Sequence, residues 1–333
     1  MEIDFPDFTP HPFCRNSHMQ TVLSVYVPTT FKPPNGDSRK ILTQDDDTIV
    51  IRENTAGMWE IGGRIVIMLH GLCGSHASQY MMRVAAKLID RGFKTIRVDM
   101  RGFGDSKLFS RGHMHAGRSD DVVSVLDDTR NRYPGSPITV MGFSLGANIA
   151  LKLLCEYENA TPVELDSAVA VSPPIDLLQC TLNLRKGLNR FYDYYFARLL
   201  SRAVWRRRRS GIPFDDVPIQ ALPKQLYEFD DQYTAPAAGF VDATEYYEKC
   251  STHLLLDRIS IPTLLLVAND DPIVPIQMYD DRTHSPFITR LLAKGGGHLG
   301  FIAKKSDDPD CRWMDWRIVE WVCEIDRVKQ KYD

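Results

Sequence analysis

Met141-Gly142-Phe143-Ser144-Leu145-Gly146 follows the apolar run Ile138-Thr139-Val140 and precedes a helix-forming stretch from Leu145 to Glu156. The pattern is G-x-S-x-G between a strand and a helix. A chain that passes from strand to helix across one serine turns so sharply that side chains two positions either side would collide, hence Gly142 and Gly146. The turn leaves the serine oxygen exposed at the sheet edge. The helix start offers free N–H groups and a partial positive charge. The five-residue pattern alone also arises incidentally in glycine-bearing turns. Its strand–turn–helix setting is what makes Ser144 a candidate nucleophile.

Outward from that turn, short apolar runs alternate with amphipathic stretches, the pattern of a mostly parallel sheet with helices on both faces. The strand candidates are Thr48–Arg52, Arg64–His70, Thr95–Asp99, Ile138–Ser144, Ser167–Ser172, Thr263–Asn269 and Ile288–Ala293. They carry few polar residues, as strands buried on both faces should. Helical patterns lie at Tyr80–Asp90, Ser119–Arg132, Leu145–Glu156 and Met314–Lys329. The fold class is therefore α/β. From about Pro174 to Cys250 the alternation stops, and helix-forming, aromatic and basic residues take over. This stretch is expected to be a helical cap inserted before the penultimate core strand, within one catalytic domain spanning 1–333. Insertions at the C-terminal edge of such a sheet usually build the ligand site.

A serine hydroxyl is a poor nucleophile until a base takes its proton, and imidazole does this near neutral pH. Where the nucleophile sits in such a turn, acid and histidine follow it in the chain, in that order. His298 lies in Gly295-Gly296-Gly297-His298-Leu299-Gly300, after the last strand candidate, where glycines let a loop carry the ring over the serine. The acid should end the penultimate strand, which runs into Asp270-Asp271-Pro272. Its carboxylate would accept the imidazole N–H and fix the tautomer. Asp271 is preferred to Asp270 on turn position alone; the other aspartate would then be a turn or capping residue. Two backbone donors are needed for the developing oxyanion. Leu145, after the nucleophile, supplies one, and Leu72 in His70-Gly71-Leu72-Cys73-Gly74-Ser75 the other. His70 is read as structural.

Net charge is -3 with 40 Lys+Arg against 43 Asp+Glu, which gives no reason to expect nucleic acid. The seven cysteines lack the spacing of a zinc site or redox dithiol, and reduced thiols are expected. No secretory signal is visible near Met1, and no apolar run is long enough to span a membrane. A soluble, cytoplasmic protein is expected. His113-Met114-His115 lacks further ligands for a metal. Arg101-Gly102-Phe103-Gly104 lacks the third glycine of a dinucleotide fingerprint. No cofactor and no metal are expected. Arg206–Arg209 reads as a solvated helix face, with a patch for anionic lipid head groups as the alternative. The aromatics from Phe191 to Phe196 read as cap core, with an acyl groove as the alternative.

Arg15-Asn16-Ser17-His18-Met19-Gln20-Thr21 resembles the opening motif of YheT-like hydrolases, the embryogenesis-associated branch of the α/β-hydrolase superfamily. Ser17 stands where proline is usual. Further matching segments are Asp99-Met100-Arg101-Gly102, Phe229-Asp230-Asp231-Gln232-Tyr233-Thr234-Ala235-Pro236 and Gly296-Gly297-His298-Leu299-Gly300-Phe301. The resemblance covers nearly the whole chain and places Ser144, Asp271 and His298 at the triad positions. It implies a small-molecule acyl ester or lipid-like substrate, with no metal and no organic cofactor. The long N-terminal membrane anchor of some animal members is not seen, which favours a soluble esterase. The expected activity is that of a serine carboxylesterase on short- or medium-chain acyl esters. An acyltransferase or thioesterase with the same triad, or a non-catalytic binding protein of this fold, are the alternatives.

Overall fold

The computed structural model describes all residues except 1–2, 28–30, 32, 34–35, 157–163, 220–221, 280–284 and 333. Its strands are β1 (Asp37–Leu42), β2 (Thr48–Asn54), β3 (Ile65–Leu69), β4 (Lys94–Asp99), β5 (Ile138–Phe143), β6 (Leu165–Val171), β7 (Thr263–Ala268) and β8 (Ile288–Ala293). They form one sheet in the order β1-β2-β4-β3-β5-β6-β7-β8. Pairing is antiparallel at β1/β2 and β2/β4 and parallel elsewhere.

The central strands are apolar because both faces are covered. Along β3, Ile65, Ile67 and Leu69 face one core and Val66 and Met68 the other, as the two-residue period of a strand requires. The helices are α1 (Ser17–Leu23), α2 (Gln79–Ile89), α3 (Ser119–Arg132), α4 (Leu145–Glu156), α5 (Leu177–Leu184), α6 (Arg190–Ser210), α7 (Leu226–Phe229), α8 (Ala235–Ala237), α9 (Ala243–Cys250) and α10 (Trp313–Tyr332). Val122 and Val125 of α3 and Ile149 and Leu153 of α4 close the first core. Met81 and Val84 of α2 and Ile318 and Val322 of α10 close the second.

From β3 the chain steps one way to β4, then returns to place β5 on the other side of β3. Beyond the carboxyl ends of β3 and β5 this reversal opens a crevice, the usual ligand position in an open α/β sheet. Ser144 follows β5 and the loop 70–75 follows β3, so the topology brings them side by side.

Between β6 and β7 the described residues form helices and turns, α5 to α9, with a π-helical turn at Asp230–Thr234; residues 220–221 lie outside the described set. Leu200 and Val204 on α6 pack against Phe229 and Tyr233 in a small core of their own.

Two elements were not anticipated. β1 reads Asp37-Ser38-Arg39-Lys40-Ile41-Leu42 and buries only Ile41. It lies at the sheet edge, where pairing and charges such as Arg39 with Glu53 hold it, so the apolar signal is missing. α1 buries only Gln20 and carries no apolar stripe; the Asn16 side chain caps it by accepting from the N–H of His18 and Met19.

In the basic run Arg206, Arg208 and Arg209 are exposed as a solvated face would be, and only Arg207 departs from that reading. Arg207 is buried, and its guanidinium donates to the carbonyls of Ser110, Arg111 and Gly112, tying α6 to the loop after β4. Phe191, Tyr194 and Tyr195 are exposed rather than buried as cap core.

Candidate active site

Ser144 occupies the turn between β5 and α4 with φ of 52°. A non-glycine residue in the left-handed region is strained, and such strain persists where the surroundings over-determine it. Here they do. A Cβ on Gly142 would lie 2.2 Å from the Gly146 carbonyl oxygen, and one on Gly146 would lie 2.5 Å from the carbonyl oxygens of Leu69 and His70. Those contacts are with backbone and cannot be relieved by a rotamer change. The half-buried hydroxyl sits at the N-terminus of α4.

His298 reaches this hydroxyl from the loop after β8. Its Nε2 lies 2.8 Å from Ser144 Oγ and its Nδ1 2.8 Å from Asp271 Oδ2. With Nδ1–H donating to Asp271, the Nε2 lone pair is left for the serine proton. The Asp271 Oδ1 accepts the N–H groups of Ile273 and Val274 at 2.9 and 3.0 Å, which holds the carboxylate in the turn after β7. Asp270 points elsewhere: its Oδ1 accepts the Gly297 N–H at 2.9 Å. Burial pushes the Asp270 carboxyl above its ordinary range.

The histidine loop leans on α1. Thr21 Oγ1 accepts the His298 N–H at 2.9 Å, and Gln20 Oε1 accepts the Ile302 N–H at 2.7 Å. Cβ atoms on Gly297 and Gly300 would meet the carbonyl oxygens of Ser17 and Gln20 at 2.3 and 2.5 Å. The glycines therefore admit α1 against the loop. Sequence reasoning marked the motif from Arg15 to Thr21 only as a resemblance and assigned it no task; the available signal was that motif together with the glycines around His298.

Leu72 and Leu145 line the same cleft as Ser144. Gly71 presses its backbone against the serine, since a Cβ there would be 3.1 Å from Ser144 Cβ. Neither Leu72 N–H nor Leu145 N–H has a hydrogen-bond acceptor among the described residues. His70 is fully buried; its Nε2 accepts the Met100 N–H at 3.1 Å and its Nδ1 lies 2.7 Å from the Gly71 carbonyl. Burial depresses its pKa, so it stays neutral and holds the loop.

Above Ser144 lies a cleft with about 1020 Å³ of empty space, part of it open to solvent. Its walls are mostly apolar, among them Leu177 of α5, Phe196 and Leu200 of α6, and Phe229. Polar groups in the walls are occupied. Asp230 accepts from Thr234 Oγ1 at 2.6 Å and from Tyr247 OH at 2.8 Å. Burial raises its carboxyl to about 6. His115 accepts the Gly117 N–H at 3.1 Å, and burial holds it well below the usual imidazole range. His113 and His115 thus line the cleft as bonded wall residues.

Away from the cleft, His76, Asp99 and Asp105 bring possible ligand atoms within 4.8 Å of one another. The Asp99 carboxylate is already bonded to the N–H of His76, the His76 Nδ1 and the N–H of Asp105, and Asp105 pairs with Arg52. With its donors supplied by the protein, this group is a structural brace. All seven cysteines are unbridged.

The family model described as alpha/beta hydrolase fold matches residues 64–305. YheT of Escherichia coli is 29% identical over 320 residues, covering 95% of this chain and 93% of its own. The monoacylglycerol lipase of Saccharomyces cerevisiae is 29% identical over 317 residues, covering 90% and 68% respectively. Among solved structures, the Pyrococcus furiosus esterase Pf2001 superposes with a TM-score of 0.58 at 18% identity, covering 97% of this chain and 98% of that one. At that identity the likeness speaks for the fold.

Proposed function

We propose, from the premise that this chain belongs to the α/β-hydrolase fold family, that it is a serine carboxylesterase acting on lipid-like esters of short- or medium-chain acids. The observation that carries the reading is the chain of contacts Ser144 Oγ to His298 Nε2 and His298 Nδ1 to Asp271 Oδ2, both 2.8 Å, at the foot of an apolar cleft. The relative named a monoacylglycerol lipase supports a carboxylic-ester substrate of lipid type.

In this mechanism the acyl chain lies along the apolar walls and the ester carbonyl sits over Ser144. Ser144 Oγ attacks the carbonyl carbon as His298 Nε2 takes the hydroxyl proton. The charge gathers on the carbonyl oxygen, where the N–H groups of Leu72 and Leu145 and the α4 N-terminus receive it. Asp271 holds the ring tautomer and stabilises the imidazolium. The intermediate collapses, His298 passes its proton to the leaving alcohol, and an acyl-serine remains. Water then enters, His298 takes its proton, and the acid departs from a restored serine. The helices α5 to α9 act as a cap that keeps bulk water from the acyl chain. The unbridged cysteines support a reducing compartment, and the cytoplasm is the proposed location.

The test is hydrolysis of p-nitrophenyl acetate and butyrate by the wild type and by Ser144→Ala. The substitution is expected to lower kcat at least about 10⁴-fold and to abolish labelling by a fluorophosphonate. Equal rates in the two proteins would overturn the assignment.

A further inference from the structure

α6 has two faces with different tasks. Its inner face lines the cleft through Phe196, Leu200, Val204 and Arg207. At about 100° per residue, the outer face gathers two sets of side chains within about 60° of a single line. The first is aromatic: Phe191, Tyr194, Tyr195 and Trp205, exposed to 74%, 47%, 56% and 55%. The second is basic: Arg198, Arg202, Arg206 and Arg209. The two sets interleave over about 27 Å of helix. Arg198 donates to Tyr194 OH at 2.9 Å, and the Arg209 guanidinium lies 4.7 Å from the centre of the Trp205 ring.

This face has an unbalanced charge. α6 carries seven arginines and one acid, Asp193, in a chain of net charge -3. Asp193 is buried and accepts the Leu226 N–H, so it does not offset the outer arginines. Arg207 is consumed inside and Arg208 pairs with Asp216. Among the described residues, no carboxylate pairs with Arg198, Arg202, Arg206 or Arg209. Arginine beside large exposed aromatics on one helical face is the composition that sits at the boundary of head groups and acyl chains. No helix among the described residues is long and apolar enough to cross a membrane, so contact would be peripheral.

We propose that the outer face of α6 docks the protein on an anionic phospholipid surface, with the arginines on the head groups and the aromatic rings at the interface. The inference rests on the lipid-ester reading above, because the opposite face of the same helix walls the acyl cleft. Docking there sets the cleft beside the phase in which a lipid ester partitions. A single-stranded nucleic acid would also meet arginines and aromatic rings. The cleft behind the helix favours the membrane.

The test is co-sedimentation of the full chain with vesicles of phosphatidylcholine, with or without added phosphatidylserine. The wild type is expected to bind the anionic vesicles, to leave them as salt is raised, and to bind neutral ones weakly. The variant R198Q/R202Q/R206Q/R209Q should bind anionic vesicles at least about 100-fold more weakly. A second variant, F191S/W205S, should weaken binding at high and low salt alike. Both should hydrolyse dissolved p-nitrophenyl butyrate at the wild-type rate, which reads the esterase assignment separately. Absence of wild-type binding, retention of binding by the arginine variant, or binding to single-stranded RNA in place of vesicles would overturn the surface. A protein that docks but hydrolyses no ester would overturn the esterase reading and leave the surface standing.

Discussion

Asp270 and Asp271 are neighbours in the chain and serve different partners across the same loop. Asp271 Oδ2 is 2.8 Å from the His298 ring, and Asp270 Oδ1 holds the backbone N–H of Gly297, one residue earlier. One orients the imidazole and the other anchors the loop that carries it.

The two aspartates should therefore separate in kinetics. Asp271→Asn is expected to lower kcat by about 10⁴-fold, since the amide favours the wrong imidazole tautomer. Asp270→Asn keeps an oxygen for the Gly297 N–H and should cost no more than about tenfold. Steady-state hydrolysis of p-nitrophenyl butyrate reads both. Equal losses would contradict the division of labour.

The contact between α1 and the histidine loop gives a second expectation. Thr21→Val removes the acceptor of the His298 N–H and leaves a partly buried donor unpaired, a cost of roughly 1–3 kcal/mol. Part of it should appear as a lower melting temperature and part as a fall in kcat, because the ring loses its backbone anchor. Thr21→Ser restores the hydroxyl and should recover both. A valine variant with unchanged activity and melting would show that the loop holds itself.

The turn at Ser144 should tolerate no Cβ. Gly146→Ala places a methyl group 2.5 Å from the carbonyl oxygens of Leu69, which ends β3, and His70, which follows it. The neighbours are backbone, so the expected loss of stability is about 3 kcal/mol or more. Thermal unfolding monitored by circular dichroism measures it. Ser144→Ala, by contrast, should unfold within a few degrees of the wild type.

Asp230 makes stability depend on pH. Burial raises its carboxyl from 3.8 to about 6. The folded protein thus holds this proton more tightly than the unfolded chain does. The sign follows: the contribution is most favourable below the unfolded value and is lost as pH rises toward about 6, a change of about 3 kcal/mol for two pH units of displacement. Asp230→Asn cannot ionise. Urea unfolding of both proteins at about pH 4 and pH 7 should show the wild type losing ground to the variant at the higher pH. A constant difference would mean that Asp230 titrates in the folded protein as it does in the unfolded chain.

The features legible in the chain were those decided within a few residues. The strands β3 to β7 show themselves by apolar content because both faces are buried, and their expected bounds differ from the observed ones by one or two residues. β1 was not legible: an edge strand needs only one buried residue, Ile41, and its identity as a strand comes from pairing with β2. α1 was not legible because what it buries is Gln20, a polar side chain whose partner Ile302 is 282 residues away.

By itself the sequence determined the turn at Ser144. The two glycines, the strand before and the helix after impose that geometry through short-range sterics. It also determined the α/β class through the alternation of buried runs and amphipathic stretches. Tertiary structure decided that Asp270 anchors the Gly297 N–H, that α1 braces the loop of His298, and that the aromatic side chains on the outer face of α6 stay exposed among the described residues. The reason is range. Local sterics and periodicity act over a turn or two, whereas each of these outcomes depends on packing between segments distant in the chain, and no spacing within either segment records it.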